Sequence, residues 1–583
     1  MPGREREFVQ HLNAMLGQLK AERSPFDDVW RKVARFESDL MNMFDGQLGN
    51  KPEIGLRRDP RDLDNTCRQA ITVFSSGMLS GVSPASDQWF SLRVADKSGG
   101  ADLEKYRPVA QWLEQVEQVF ARDFVNKNFY TQQVSSYKHI GLYGMQCMLV
   151  GEAPDTGDTY YRDVPVDEIY IAEDYAGSVN TVFREMLITL GQALEIFGKD
   201  NLSPAMQRVA DQKDVDLSQK FTIVHAVVPK APGYEPLMGN NKLRYASYYF
   251  EPGEEHLIRE GGFDSLPYIV TRAYTGGRSP YSISPGTVAL SDVLMLNEIK
   301  GLILQSGQMA IAPAMLMPDR GLVGRLNYAP GAINLYRKDG NTTAADFAPL
   351  QTTQGKLDIG FQLLEQAQKD VNAAFFVDLF LMIHNRTQQG RGTPTAMEIQ
   401  QLASEKSFLL APILINQQQE NFNRLFERVF DIKKREAGAI PPPPEELLNA
   451  EIEIEYVSPL VRAQLSTKAE QMTQSAMEIA NLANMYPDVL DLLDSEQFAR
   501  KLMEIRGMPQ SCIRSFDEVA EIKAAKMQAQ QMAQQQAAQQ QMLSGAMAGY
   551  EGLSKAPEPG SPAEQILKQA GMAMPQDEGG VLA

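Results

Sequence analysis

The sequence predicts a mainly helical α+β subunit, and three observations carry that expectation. Two long segments, Thr287–Ala312 and Lys356–Asn385, repeat apolar residues at helical spacing and bracket an insert dense in Pro, Gly, Asn and Asp. Between Gln146 and Arg272 the period shortens into eight runs rich in β-branched and aromatic residues, separated by turn residues. Helical patterning returns on both sides of that stretch, so helices must gather around a small antiparallel sheet region.

Composition sets the outer bounds. A chain of 583 residues with 43% apolar content builds several domains with substantial cores. Cys67, Cys147 and Cys512 lie far apart with no CxxC or Cys/His spacing, which argues against a disulfide framework or a zinc site and fits a reducing compartment. The first residues, MPGREREFVQHLNAML, lack the apolar run of a signal peptide. Gly301–Pro318 is uncharged, but Gln305, Ser306, Gln308 and Pro313 interrupt it, so no membrane insertion is expected. The net charge of −18 excludes a broad basic clamp on nucleic acid, which needs Lys and Arg to displace counterions. It leaves passing contact open.

In chain order, Arg4–Met43 reads as helix. Within it Ser24-Pro25-Phe26-Asp27-Asp28 has the form of a helix start, with a capping Ser, Pro at the first position and acids in the first turn. Asp64–Leu79 is a second helix, ending in the turn Ser80–Pro84, and Trp89–Val94 reads as a strand in which Trp89 and Phe90 are core residues. Tyr106–Asn126 and Phe129–Tyr143 are helical. The eight strand-like runs are Cys147–Gly151, Thr159–Arg162, Glu168–Ala172, Thr181–Met186, Thr222–Val228, Arg244–Phe250, His256–Glu260 and Tyr268–Arg272. Helices are expected between them at Leu190–Phe197 and Pro204–Val215.

The first long segment spans roughly 39 Å as a helix and the second roughly 45 Å. In the second, Leu357, Phe361, Leu364, Ala367, Val371, Phe375, Leu379 and Met382 form one face. Such rods need partners along their whole length. Thr395 and Glu398 have capping-box spacing and open a third long helix, kinked at Pro412 and stopped after Glu436 by Gly438 and Pro441–Pro444. Glu451–Val457 alternates as a strand, Leu460–Asn484 and Ser495–Ile505 are helical, and Ala520–Met542 favours helix with a weak apolar face. Ser544–Ala583 has the composition of a disordered tail.

Catalytic and cofactor signatures are missing. The sequence has no GxxxxGK[ST], GxSxG, HExxH or strand-following GxGxxG. His11, His139, His225, His256 and His384 are scattered, without a second histidine at ligand spacing, and no carboxylate pair stands out. An enzyme, a metal site and a cofactor are therefore not expected.

Beyond the second long segment the residues resemble a known family. Gly392-Thr-Pro-Thr-Ala-Met-Glu-Ile399, Ala403-Ser-Glu-Lys406 and Leu410-Ala-Pro412 are similar to the head-to-tail connecting (portal) proteins of short-tailed bacteriophages. The likeness continues through Ile440–Leu447, Tyr456–Gln464, Tyr486–Asp491 and Arg506–Pro509, and includes Leu79–Pro84 with Trp89-Phe90 near the start. It covers residues 5 to 530, and the shared order of its short motifs carries the specificity.

The resemblance implies a portal-type subunit with wing, stem, clip and crown regions, closed into a dodecameric ring. That ring sits at the unique capsid vertex of the virion, after assembly in the host cytoplasm. Residues 1–285 match the wing, 286–312 and 356–385 the two stem helices, 313–355 the clip, 386–393 a channel loop, 394–457 the wing again, 458–543 the crown and 544–583 a tail. Implied partners are double-stranded DNA in transit, a terminase motor, a tail adaptor protein, and major capsid and scaffold or internal core proteins. Arg386, Gln388, Gln389 and Arg391 become candidates for transient DNA contact, with a loop touching only neighbouring subunits as the alternative. Arg320, Arg325, Tyr328, Arg337 and Lys338 become candidates for clip docking, the last two equally for DNA. Strand Ala332–Tyr336 would complete its hydrogen bonding across subunits. Twelve chains each carrying −18 would form an acidic passage in which duplex DNA is held loosely. A non-channel structural phage protein and an unrecognised hydrolase remain the alternatives.

Overall fold

The computed structural model describes residues 2–36, 63–95, 103, 106–153, 157–230, 243–275, 277–319, 327–337, 348–349, 357–381, 410–436, 438–447, 450–456, 459–483, 486, 494–505, 508, 514, 516–551, 560, 562 and 565. Helix α1 (Pro2–Phe36) runs unbroken through Pro25, where the sequence pattern predicted a fresh start. Tertiary anchoring overrides the local signal. Arg23 is buried and donates to the main-chain oxygens of Val166, Asp167 and Ile169 at 3.2, 2.8 and 2.7 Å. It also pairs with Asp27 across the proline at 2.9 Å and lies over the Tyr170 ring at 3.9 Å. Phe26 and Trp30 pack on Tyr281 one turn further on. With both flanking turns pinned, the helix carries the proline's cost of about 3 kcal/mol.

Helix α2 (Thr66–Val82) follows Asp64, whose Oδ1 accepts the Thr66 amide at 2.7 Å. Strand β1 (Phe90–Val94) buries alternate residues, and Trp89 and Phe90 are core, as expected. Helices α3 (Arg107–Asn126) and α4 (Phe129–Tyr143) complete the N-terminal helices, and α4 ends on Gly144 with φ 77°. Only glycine fits there comfortably, because a Cβ would also meet the Ser282 carbonyl oxygen at 2.6 Å.

All eight expected strands form: β2 (Met145–Glu152), β3 (Thr159–Asp163), β4 (Ile169–Glu173), β5 (Val179–Thr189), β6 (Lys220–Pro229), β7 (Tyr245–Glu251), β8 (His256–Phe263) and β9 (Tyr268–Arg272). They divide into two antiparallel sheets, ordered β3-β2-β9 and β4-β5-β6-β7-β8. Helix α5 (Leu190–Phe197) starts at a full capping box between Thr189 and Gln192, while α6 (Pro204–Ala210) stops five residues short of the expected end, where the chain turns polar. Period-2 alternation explains the larger sheet's two coats. Val224, Ala226 and Val228 of β6 face Val9, Leu12, Leu16 and Leu19 of α1, whereas Ile223 faces the satellite cluster of α5 and α6. The main core joins the second half of α1 to α2, α3, α4 and the smaller sheet.

The first long segment is helix α7 (Pro285–Ile311). The second is broken: α8 (Leu357–Ala374) gives way at Phe376, φ 56°, to the single turn α9 (Val377–Phe380). Phe375, Val377 and Leu379 are all buried, a spacing of two that no continuous helix places on one face. Phe380 then packs on α2 so closely that a Cβ at Gly77 would lie 2.2 Å from its ring. The insert between α7 and α8 contains β10 (Met315–Asp319), β11 (Ile333–Arg337) and β12 (Ala348–Pro349), with β10 in the centre, parallel to β11 and antiparallel to β12.

Of the third long helix, residues 410–416 are α-helical through Pro412, Gln417–Phe422 is a π-helix, and α10 (Asn423–Arg435) is α-helical again. Residues 394–409 lie outside the described residues. Strand β13 (Ile452–Tyr456) pairs antiparallel with β1, Phe90 opposite Tyr456. Helices α11 (Pro459–Ala483), α12 (Ser495–Ile505) and α13 (Phe516–Glu551) follow. Helix α13 extends past Ser544, into the stretch that composition assigned to a tail. Ala and Met favour helix there, and elongating an existing helix is cheap.

Candidate assembly surface and channel elements

Ser284 caps α7: its Oγ accepts the Thr287 amide at 2.7 Å and donates to the Leu142 oxygen at 2.7 Å, binding the helix start to the end of α4. The proximal half of α7 is seated on the body through Ala289, Val293, Leu296 and Asn297. The Asn297 Oδ1 accepts the amides of Leu63 and Asp64 at 2.8 and 3.1 Å, and Lys300 pairs with Asp64 at 3.0 Å. Burial raises the Asp64 carboxyl, but hydrogen bonds from Thr66 and Lys300 outweigh it and hold the group below its ordinary value.

Beyond Asn297 no residue of α7 is buried. Leu302, Leu304 and Ile311 are 56%, 51% and 88% exposed. Helix α8 lies alongside, with Gly360 against Ile303, and from Asp358 onward its first buried residue is Ala367. Ile359, Phe361 and Leu363 before it are each more than half exposed. Among the described residues, the distal halves of both helices therefore cover mainly each other. A second apolar line, Val288, Met295 and Leu302, repeats every seven residues along the outside of α7. Covering what remains exposed of each such side chain contributes roughly 1 kcal/mol, so this surface favours association.

In the insert, β11 is an edge strand with Ile333 and Leu335 exposed, while Asn334 is buried and exchanges hydrogen bonds with the backbone of Asn327 at 2.6 and 2.8 Å. Tyr328 is half exposed, and Arg337 ends β11 opposite Asp319. The strand expected at Ala332–Tyr336 is displaced by one residue. Arg320, Arg325 and Lys338, and the channel-loop candidates Arg386, Gln388, Gln389 and Arg391, lie outside the described residues.

Sequence reasoning missed the junction that holds these elements to the sheets. Arg272, at the end of β9, is buried, and its guanidinium meets Glu420 of the π-helix, Glu173 of β4 and the Gly177 oxygen at 2.8 Å. Glu420 also accepts the Arg272 amide at 2.9 Å, and Asn416 donates to the Ala273 oxygen at 3.2 Å. No linear pattern announces this clamp, because its members are 99 and 148 residues apart. His225 is a satisfied core residue between the Tyr268 hydroxyl at 2.7 Å and Ser247 at 2.8 Å. Among the described residues, no group of three His, Cys, Asp or Glu is arranged to hold a metal, and no helix is long and apolar enough to cross a membrane.

Residues 9–513 match the family model described as bacteriophage head to tail connecting protein. The chain is 28% identical over 513 residues to a probable portal protein of Bordetella phage BPP-1, covering 87% of this chain and 89% of that one. It is likewise 28% identical over 517 residues to the portal protein of Salmonella phage epsilon15, covering 88% and 90%. A solved structure of the neck of an empty GTA particle, computed with C6 symmetry, aligns over 73% of this chain and 89% of that one, with 12% identity and a TM-score of 0.33.

Proposed function

The chain belongs to the bacteriophage head to tail connecting protein family, and on that premise we propose that it is a portal subunit. In this reading copies of the chain close into a ring at one capsid vertex, through which double-stranded DNA enters during packaging and leaves during ejection. The protein is structural rather than catalytic. ATP hydrolysis belongs to a separate terminase motor, since no phosphate-cradling loop exists in the sequence.

The observation that carries the reading is the uncovered apolar surface of α7 and α8. Rods that bury only half their length within one chain gain the remainder from identical neighbours, and repetition of one heterologous contact closes a ring. The portal names of the two phage relatives support it. At finer detail, α7 and α8 act as the stem, β10–β12 with Tyr328 and Arg337 as the clip that docks the motor and then the tail adaptor, and α11–α13 as the crown. The dodecameric state, the channel-loop contacts of Arg386, Gln388, Gln389 and Arg391, and the docking roles of Arg320, Arg325 and Lys338 belong to the same proposal. So do the capsid and scaffold contacts.

Negative-stain imaging of the purified protein tests it. Rings with a central hole are expected; a monodisperse monomer under assembly-competent conditions would refute the reading. Leu302→Asp and Phe361→Asp should abolish rings while the tryptophan fluorescence of the buried Trp30, Trp89 and Trp112 stays native.

A further inference from the structure

Besides the Glu420–Arg272 clamp, the six-residue π-helix Gln417–Phe422 meets strands β2 and β9 through a set of buried polar side chains. Gln146 of β2 and Thr271 of β9 stand directly opposite each other, and so project from the same sheet face. The Gln146 Nε2 donates to the Gln417 Oε1 at 3.5 Å, and the Asn421 Nδ2 donates to the same oxygen at 2.8 Å. All four residues have zero or near-zero exposure. Yet Gln146 Oε1, Thr271 Oγ1, Gln417 Nε2 and Asn421 Oδ1 each lack a hydrogen-bond partner among the described residues.

Leaving four such atoms bare costs on the order of 1–3 kcal/mol apiece, which a folded core does not sustain without compensation. Their chemistry defines what compensates. Two are carbonyl oxygens that only accept, one is an amide nitrogen that only donates, and one is a hydroxyl that does either. An anion is excluded by the two carbonyl oxygens, and a cation by the amide N–H. A neutral molecule with two donors and two acceptors matches the set.

We propose that Gln146, Thr271, Gln417 and Asn421 form an internal hydration site in which bound water tethers the π-helix to the β2–β9 sheet. The simplest occupancy is a single water that donates to Gln146 Oε1 and Asn421 Oδ1 and accepts from Gln417 Nε2 and Thr271 Oγ1, a coordination common for enclosed water. This also gives the π geometry a reason. One added residue in the turn lets Asn416 and Gln417 face the sheet together with Glu420 and Asn421, so the same helix reaches the Ala273 oxygen, the water and Arg272.

The test is a cryo-electron microscopy map of the unmodified full-length protein, at a resolution that shows ordered water. A peak at about 2.6–3.2 Å from Gln146 Oε1 and Asn421 Oδ1 is expected. Side chains closed on one another with no peak, or a peak at metal distances of about 2.1 Å, would overturn the site. A map of Thr271→Val supplies a second readout: the hydroxyl is lost at constant shape, and the peak should weaken or vanish while the π-helix persists. An unchanged peak would remove Thr271 from the site and overturn the four-residue assignment. None of these outcomes depends on whether the protein forms a portal ring.

Discussion

Replacing Arg272 by Met is expected to destabilise the fold by about 3–5 kcal/mol, the cost of breaking a buried ion pair by removing one partner. The magnitude follows from what is left behind. The Glu420 side chain is 12% exposed and that of Glu173 26%, so Glu420 bears the larger penalty and Glu173 is partly relieved by solvent. Met keeps the volume of the aliphatic stem, so a cavity contributes little. Glu420→Gln keeps an acceptor for the Arg272 amide and removes only the charge, with an expected cost nearer 1–2 kcal/mol. In the double variant the two losses should fall short of additivity by at least about 1 kcal/mol, as for groups in one network. Urea denaturation followed by tryptophan fluorescence reads all four proteins, since the three tryptophans lie in the main core. If Arg272→Met shifts stability by less than about 0.5 kcal/mol, or the two changes add, the clamp does not hold the π-helix to the sheets.

Three further outcomes follow from the same structure. Gly144→Ala combines a left-handed backbone with a contact 2.6 Å from the Ser282 oxygen, and should cost more than about 2 kcal/mol in the same denaturation assay. Ser284→Ala removes both the cap of α7 and a buried hydrogen bond, and should cost about 1–2 kcal/mol, with Ser284→Thr retaining most of the stability. Asp167→Asn changes the pH dependence. Burial, reinforced by Glu168, pushes the Asp167 carboxyl up from 3.8 to about 7, so the native state keeps a proton that the unfolded chain has released. That contribution is lost as pH rises through this window. His225 acts oppositely: burial, then Arg184 and Arg259, push it down from 6.5 to about 3, so its contribution is lost as pH falls below 6.5. The two offset each other between about pH 4 and 6.5. Asp167→Asn should therefore raise stability at neutral pH and expose a loss on acidification of up to about 1.4 kcal/mol per pH unit, measured as urea midpoints; an unchanged profile would contradict it.

Local chemistry was legible wherever local energy decides. Helical periodicity placed α5 at Leu190–Phe197 to the residue, and the first long segment, read from Thr287, begins two residues inside the observed start of α7. Runs of β-branched and aromatic residues located every strand of both sheets, and the two long segments already asked for partners along their whole length. Where long-range contacts decide, the sequence misled. Pro25 stays inside α1 because Arg23 reaches β4, and Phe376 breaks the second rod because α2 accepts Phe380 beside Gly77. Within the third long helix, Gln417 and Asn421 carry no sequence signal of burial, yet they are among the most deeply buried polar residues, and only the fold brings Gln146 and Thr271 beneath them. Of the candidate site residues, Tyr328 is half exposed and Arg337 is the last residue of β11. The others fall outside the described residues.

Helix α1 lends its first half to one sheet face and its second half to a different core. Its stripe of Val9, Leu12, Leu16 and Leu19 waits for Tyr170, Phe183, Val224, Tyr248 and Phe250, which emerge from the ribosome much later. At ordinary synthesis speeds that delay lasts roughly 10–50 s. For all of it the apolar stripe of the nascent helix lacks the sheet face that will cover it.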